Sequence, residues 1–192
     1  MTGPAISSFD VPALEALPAD LREGIEAVRA KTGFVPNVFL VLARRPDEFR
    51  AFFAYYDAVM LRPGGLTKTE KEMIVVATSA ANQCPYCVIA HGALVRLFSK
   101  DPRIGDQIAV NYRQADLAPR QRLMLDAALK LAQAPQTFGE ADVQALLAAG
   151  FSREDVWDIG AITALFALSN RLAHLSDMRP NDEFFAMGRE GG

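Results

Sequence analysis

Thiols and imidazoles are scarce in this chain: two cysteines and two histidines stand among 192 residues. Two cysteines cannot make the disulfide framework that staples small secreted domains. Long apolar runs are also missing. The most apolar stretch, residues 159–168, is closed by Asp158 on one side and Asn170-Arg171 on the other. It is far too short to span a bilayer, so no membrane association is expected. The opening residues, MTGPAISSFDVPALEAL, have no basic segment and no continuous apolar core. They do not read as a secretory leader, and a cytoplasmic location is expected. Net charge is −3 and no basic stripe is visible, so nucleic acid is not expected as a partner. There is no convincing period-2 alternation and no Asn-Gly hairpin signal.

What is present is ordinary globular composition, with 51% AVILMFWYC and 22% charged residues, enough to build one sizeable core. Pro63-Gly64-Gly65, Asp101-Pro102, Ala118-Pro119, Ala134-Pro135, Gly150 and Arg179-Pro180 cut the chain into helix-sized pieces with apolar residues at helical spacing. The class is therefore all-α. Helices are predicted over 19–32, 36–44, 46–61, 67–82, 84–99, 101–113, 118–134, 140–149 and 152–176, with Pro36 at the first position of its helix. Thr67 with Glu70, and Ser152 with Asp155, fit capping boxes. Residues 1–18 read as an extended arm that packs on a neighbouring subunit, and 19–192 as a single helical domain. A faint internal repeat of two helical hairpins is also expected. Its first copy opens at Leu66-Thr67 and leads to His91; its second opens at Phe151-Ser152 and ends at His174.

Both cysteines and one histidine fall within eight residues, in Cys84-Pro85-Tyr86-Cys87 and His91. Pro85 suits a first helical position, which makes Cys84 the N-cap and Cys87 the third helical residue. At about 100° per residue, Cys84, Cys87 and His91 then lie within roughly 60° of one another. A helix N-terminus favours a thiolate, a histidine one turn on can take a proton, and a second thiol can resolve a sulfenic acid into a disulfide. Glu72 precedes Cys84 by twelve residues and shares a helix face with Val75, Val76 and Ser79. If that face packs on the cysteine helix, Glu72 orients His91 or relays its proton.

Glu, eleven residues, Cys-x-x-Cys, three residues and His resembles the signature of the AhpD-like proteins of the carboxymuconolactone decarboxylase fold. Asn82-Gln83-Cys84-Pro85-Tyr86-Cys87 is similar to their peroxidase-related branch. The resemblance implies an AhpD-like helical bundle, a homo-oligomer (dimer, trimer or hexamer) and a thiol-dependent hydroperoxide reductase. It implies that Cys87 is the peroxidatic thiol, Cys84 the resolving thiol, and His91 with Glu72 the proton relay. It also implies a hydroperoxide substrate, an external dithiol reductant of lipoyl or thioredoxin type, and neither a bound cofactor nor a metal. The best-studied type of this family carries a histidine just before the second cysteine. Tyr86 stands there instead, which shortens the relay.

Other readings compete. Cys84, Cys87 and His91 with Glu72 or His174 make a conceivable zinc set, although no second closely spaced cysteine pair exists. A non-enzymatic thiol sensor uses the same residues, and a decarboxylase-like relative would not need the pair. Glu70-Lys71-Glu72 reads as a solvated first turn, and Asn170-Arg171 as a partly exposed helical face that lines the site only if the repeat is real. Trp157 reads as packing, Phe52-Phe53 and Tyr55-Tyr56 as core or interface aromatics, and His174 as a histidine on a helix C-terminal dipole.

Overall fold

The computed structural model describes residues 5–189. Residues 1–4 of the expected arm and 190–192 of the expected domain lie outside the described residues. Among those described there is no strand, and the all-α expectation holds. A short turn of 3-10 helix, Leu14–Ala16, precedes α1 (Ala19–Thr32), α2 (Asn37–Leu42) and α3 (Pro46–Met60). Then follow α4 (Lys68–Ala81), α5 (Pro85–Ser99), α6 (Ile104–Asn111), α7 (Pro119–Gln133), α8 (Glu140–Ala148), α9 (Arg153–Leu175) and α10 (Glu183–Ala186).

Differences from the predicted bounds sit mainly at caps. Thr67 caps α4 as expected: its side chain accepts the Glu70 N–H at 3.1 Å and the Glu70 carboxylate accepts the Thr67 N–H at 2.9 Å. Ser152 and Asp155 form the matching box on α9. Pro36 is the N-cap of α2 rather than its first helical residue, because its ψ of 133° is extended. Residues 101–103 stay outside α6, where the Asp101 carboxylate accepts the Arg103 N–H at 2.8 Å and closes a local turn. α10 was not anticipated; four residues are too few to show a period.

The helix predicted over 152–176 is borne out as Arg153–Leu175, one uninterrupted helix of 23 residues, so the second copy of the faint repeat holds no hairpin of its own. What survives of the repeat is the shared capping motif and the packing of α4 against α9.

α4 is the centre of the molecule. Ten consecutive residues, Glu70–Ser79, are buried, and the helix packs against α5, α6, α7 and α9. The run Met73–Ala77 offers no polar face, so burial on all sides is the only arrangement that hides it. Full burial of Ile74, Val75 and Val76 contributes about 1.5–3 kcal/mol each. The solvated first turn expected at Glu70-Lys71-Glu72 is therefore corrected: all three side chains are buried. Glu70 pairs with Arg120. Lys71 donates from Nζ to the carbonyls of Val59 (2.9 Å), Met60 (3.3 Å) and Arg62 (2.8 Å), satisfying the open C-terminus of α3.

A smaller core of Leu17, Leu21, Ile25, Ala43 and Phe49 lies under α1–α3, with Phe39 stacked on Phe53 at 4.3 Å. Asn181 ties this lobe to the body: its Oδ1 accepts from the Asn37 N–H at 2.7 Å and its Nδ2 donates to the Val35 carbonyl at 2.9 Å. In the arm, Ser8 N–H donates to the Ser176 carbonyl at 2.8 Å and Ile6 accepts from Arg179 N–H at 3.1 Å, so residues 6–8 run along the end of α9 in the same chain. Trp157, expected to pack, is 73% exposed, and Tyr55 is also exposed.

Replacing Lys71 with Met keeps the stem and removes the three donated bonds. Urea unfolding of Lys71→Met is expected to show a loss of about 1–3 kcal/mol. An unchanged midpoint would refute the role of Lys71 in closing α3.

Candidate active site

The turn between α4 and α5 brings the chemistry together. Gln83 takes a left-handed φ of 53°, which reverses the chain, and Cys84 N–H donates to the Ser79 carbonyl at 3.0 Å. Cys84 is the N-cap of α5, Pro85 its first residue and Cys87 its third, as the sequence predicts. Both thiols are reduced and buried, at 0% and 1% exposure.

Glu72 and His91 meet across the α4–α5 interface. Glu72 Oε2 lies 2.6 Å from His91 Nδ1, with both side chains largely buried. A carboxylate only accepts, so His91 Nδ1 carries a proton and donates it to Glu72. The edge of the ring packs against Phe166 at 4.7 Å, which fixes its plane.

The two thiols are unequal. Hydrogen bonding from the Cys87 thiol, helped by the Cys87 backbone N–H and the charges of His174 and His91, outweighs burial and lowers Cys84 to about 6. Cys87 is pushed well above the usual thiol range, because it gives its hydrogen bond to Cys84 and because it is buried. Cys84 is thus the more acidic thiol of the reduced pair. The family resemblance instead assigns the attack to Cys87.

α9 supplies a polar wall, of which sequence reasoning offered Asn170 only on condition of the repeat and missed Ser169. Cys87 Sγ lies 3.7 Å from Ser169 Oγ. Asn170 donates from Nδ2 to Ser79 Oγ at 2.9 Å and accepts from Asn82 Nδ2 at 2.9 Å. Asn170 is 1% exposed, so its placement on an exposed face is corrected; Arg171 does lie at the surface. The signal was present. Thr163, Ser169 and Asn170 are polar residues on the same face of α9 as Ile162, Phe166 and Ala173, and a polar group on a core face needs a partner. His174 does more than sit at a helix end: its Nε2–H donates to the Asn82 carbonyl at 2.9 Å, and its charge favours the Cys84 thiolate.

Tyr86 works as a strut. Its hydroxyl accepts the Val38 N–H at 3.1 Å, tying the cysteine turn to α2. Burial raises its phenol, so it is no base at neutral pH. Tyr56, read from sequence only as an aromatic, is also raised by burial and by the nearby Glu72 carboxylate, and so lines the same buried region. Among the described residues no three His, Cys, Asp or Glu side chains converge as a metal ion requires. No helix among them is long and apolar enough to cross a membrane.

The sequence pattern of the carboxymuconolactone decarboxylase family matches residues 46–134, from α3 to the end of α7. The solved structure of an alkylhydroperoxidase AhpD core, a peroxidase-related protein from Ralstonia eutropha, is 63% identical with a TM-score of 0.97, over 98% of this chain and 100% of that one. A peroxidase-related protein from Silicibacter sp. is 40% identical with a TM-score of 0.93, again over 98% and 100%. Human Sestrin-2 is 26% identical over 183 residues, which are 91% of this chain and 35% of that protein. The chain thus spans about a third of the length of that curated relative.

The unequal thiols have a direct readout. Alkylation of Cys84 by iodoacetamide should rise with pH through a midpoint near 6 and level off above 7, because only the thiolate reacts. In Cys87→Ala the donor is lost, and the midpoint should move up toward the free-thiol value of about 8.5. A midpoint that stays put in that variant would show that Cys87 does not hold the proton.

Proposed function

Given that the chain belongs to the AhpD-like carboxymuconolactone decarboxylase family, we propose that it reduces hydroperoxides with the Cys84–Cys87 dithiol. The observation that carries this reading is the 2.6 Å Glu72–His91 pair beside two reduced cysteines at the start of α5. A buried carboxylate that fixes one imidazole nitrogen leaves the other to move a proton. The neighbouring dithiol supplies two electrons.

In the proposed cycle the Cys84 thiolate attacks one peroxide oxygen. The O–O bond breaks, and the departing alkoxide takes a proton delivered through His91, leaving as an alcohol. Cys84 is then a sulfenic acid. The Cys87 thiol gives up its proton and attacks that sulfur; the S–S bond forms and water leaves. An external dithiol of lipoyl or thioredoxin type returns two electrons and two protons by thiol–disulfide exchange. Ser169 and Asn170 hold Cys87 and the turn before Cys84 in place during the exchange.

Burial of both sulfurs favours one other reading, a thiol sensor that is oxidised once and does not turn over. Steady-state peroxide consumption with a dithiol reductant separates the two, since a sensor stops after one equivalent.

Cys84→Ser is expected to abolish peroxide consumption, while Cys87→Ala, after one equivalent of peroxide, should hold a sulfenic acid that dimedone traps at Cys84. A dimedone adduct at Cys87 in Cys84→Ser would reverse the order of attack. Glu72→Gln keeps the shape and removes the carboxylate, and turnover should fall by about 100-fold or more. Wild-type-like turnover in Glu72→Gln would remove Glu72 from the mechanism.

A further inference from the structure

Cys84 and Cys87 are closed off from water, so a peroxide needs a way in. An apolar groove open to solvent lies between α2, α3 and the end of α9, lined by Val41, Phe49, Phe52 and Leu172. One helical turn inward from the groove, each of these three helices presents a residue of the dithiol region. Val38 on α2 donates its N–H to the Tyr86 hydroxyl at 3.1 Å, and Ser169 on α9 meets Cys87 at 3.7 Å. The third is Tyr56, four residues on from Phe52 along α3. The same face of α3 continues to Val59 and Met60, whose carbonyls are held by Lys71, the residue beside Glu72. Register thus aims Tyr56 between the groove and the Glu72–His91 pair.

The Tyr56 hydroxyl is the odd group of this region. Tyr86, Ser169, Asn170 and His91 all have hydrogen-bond partners. Tyr56 has none among the described residues, although it lies close enough to Glu72 to feel that carboxylate. No fully buried polar side-chain atom among those residues goes unpartnered, so the Tyr56 hydroxyl is one that water can reach. Burial raises the phenol, which therefore keeps its proton. A half-buried O–H donor without an acceptor, at the inner end of an apolar groove, has room for an oxygen atom that the chain does not supply.

We propose that Tyr56 is a further catalytic residue, whose hydroxyl donates a hydrogen bond to the departing oxygen of the hydroperoxide. This rests on the reading of the dithiol as a hydroperoxide reductant. As the Cys84 sulfur bonds to the outer peroxide oxygen and the O–O bond breaks, negative charge gathers on the oxygen that carries the alkyl group. Tyr56 stabilises that charge and keeps its own proton; the alcohol still takes its proton through His91. With the departing oxygen at Tyr56, the alkyl group lies toward Phe52 and the groove. A donor aimed at an oxygen that gains charge acts more on the transition state than on the bound substrate.

Tyr56→Phe removes the hydroxyl alone. Oxidation of the dithiol by tert-butyl hydroperoxide, followed in a single turnover by thiol counts, should slow by at least about tenfold. Alkylation of Cys84 by iodoacetamide should keep its wild-type rate and pH midpoint, whereas a merely structural Tyr56 would move both reactions together. Because the hydroxyl has no partner in the chain, the urea midpoint should also stay in place. Oxidation of Tyr56→Phe at the wild-type rate overturns the proposal. So does a lower urea midpoint, or a loss of alkylation in step with the loss of oxidation. A wild-type dithiol inert to peroxide is a separate result: it overturns the hydroperoxide reading, and the role of Tyr56 with it.

Discussion

One constraint governs this molecule: α4 is buried on every side, yet it is not wholly apolar. Glu70, Lys71, Glu72, Thr78 and Ser79 go into the interior with Ile74, Val75 and Val76. A buried polar group without a partner costs about 1–3 kcal/mol, and a buried charge more, so each of these side chains dictates what its neighbours must supply. Glu70 takes Arg120 from α7. Lys71 takes the carbonyls that end α3 and run on to Arg62. Thr78 turns back on the Ile74 carbonyl at 2.8 Å, and Ser79 accepts from Asn170 on α9. Glu72 takes His91. The catalytic-looking contact is thus one instance of a rule that the whole helix obeys. What sets it apart is that its partner is an imidazole on the helix that also carries the two thiols.

The same accounting explains why the dithiol is asymmetric. Cys84 ends a tight reversal held by Ser79, Asn82 and Gln83, and sits where a helix begins. Cys87 lies one turn inside, against Ser169. The Cys87 backbone N–H and thiol both point their hydrogen bonds at Cys84, which makes Cys84 the more acidic of the two. Tyr86 makes the turn rigid from the other side through Val38, and so links the cysteine pair to the lobe of α1–α3 rather than extending the proton path. The residue between the cysteines therefore acts here as a fastening.

Much of this was legible in the sequence where a local rule decides the outcome. Helix starts at Thr67 and Ser152 follow from the reciprocal cap, and the placement of Cys84, Pro85 and Cys87 follows from where proline is tolerated in a helix. The Glu72–His91 contact was legible only as a condition, that α4 should pack on α5 through that face. Of the polar wall from α9 only Asn170 was legible, and that on condition of the repeat, because the wall joins residues about ninety positions apart and depends on which face of α9 turns inward. A charged triplet such as Glu70-Lys71-Glu72 also misleads. Its sequence context is a first turn, which is ordinarily wet, and only the packing of α7 and the end of α3 over that turn makes it dry.

α9 shows how one helix can serve two demands through its period. Residues at 162, 166, 169, 170 and 173 face the core, and there the apolar pattern is broken by Ser169 and Asn170, which the dithiol turn satisfies. Residues at 157, 161, 164, 168 and 175 face outward, and there the pattern that water prefers is broken by apolar side chains. Each break inverts the usual rule for its face, polar inside and apolar outside. The inner inversion is resolved within the chain, by Ser79, Asn82 and Cys87. The outer one has no partner among the described residues of α9's own chain, since Trp157 and Leu175 stay largely exposed. The same period thus fixes Asn170 against the dithiol turn and leaves Trp157, Leu168 and Leu175 as an apolar outer face.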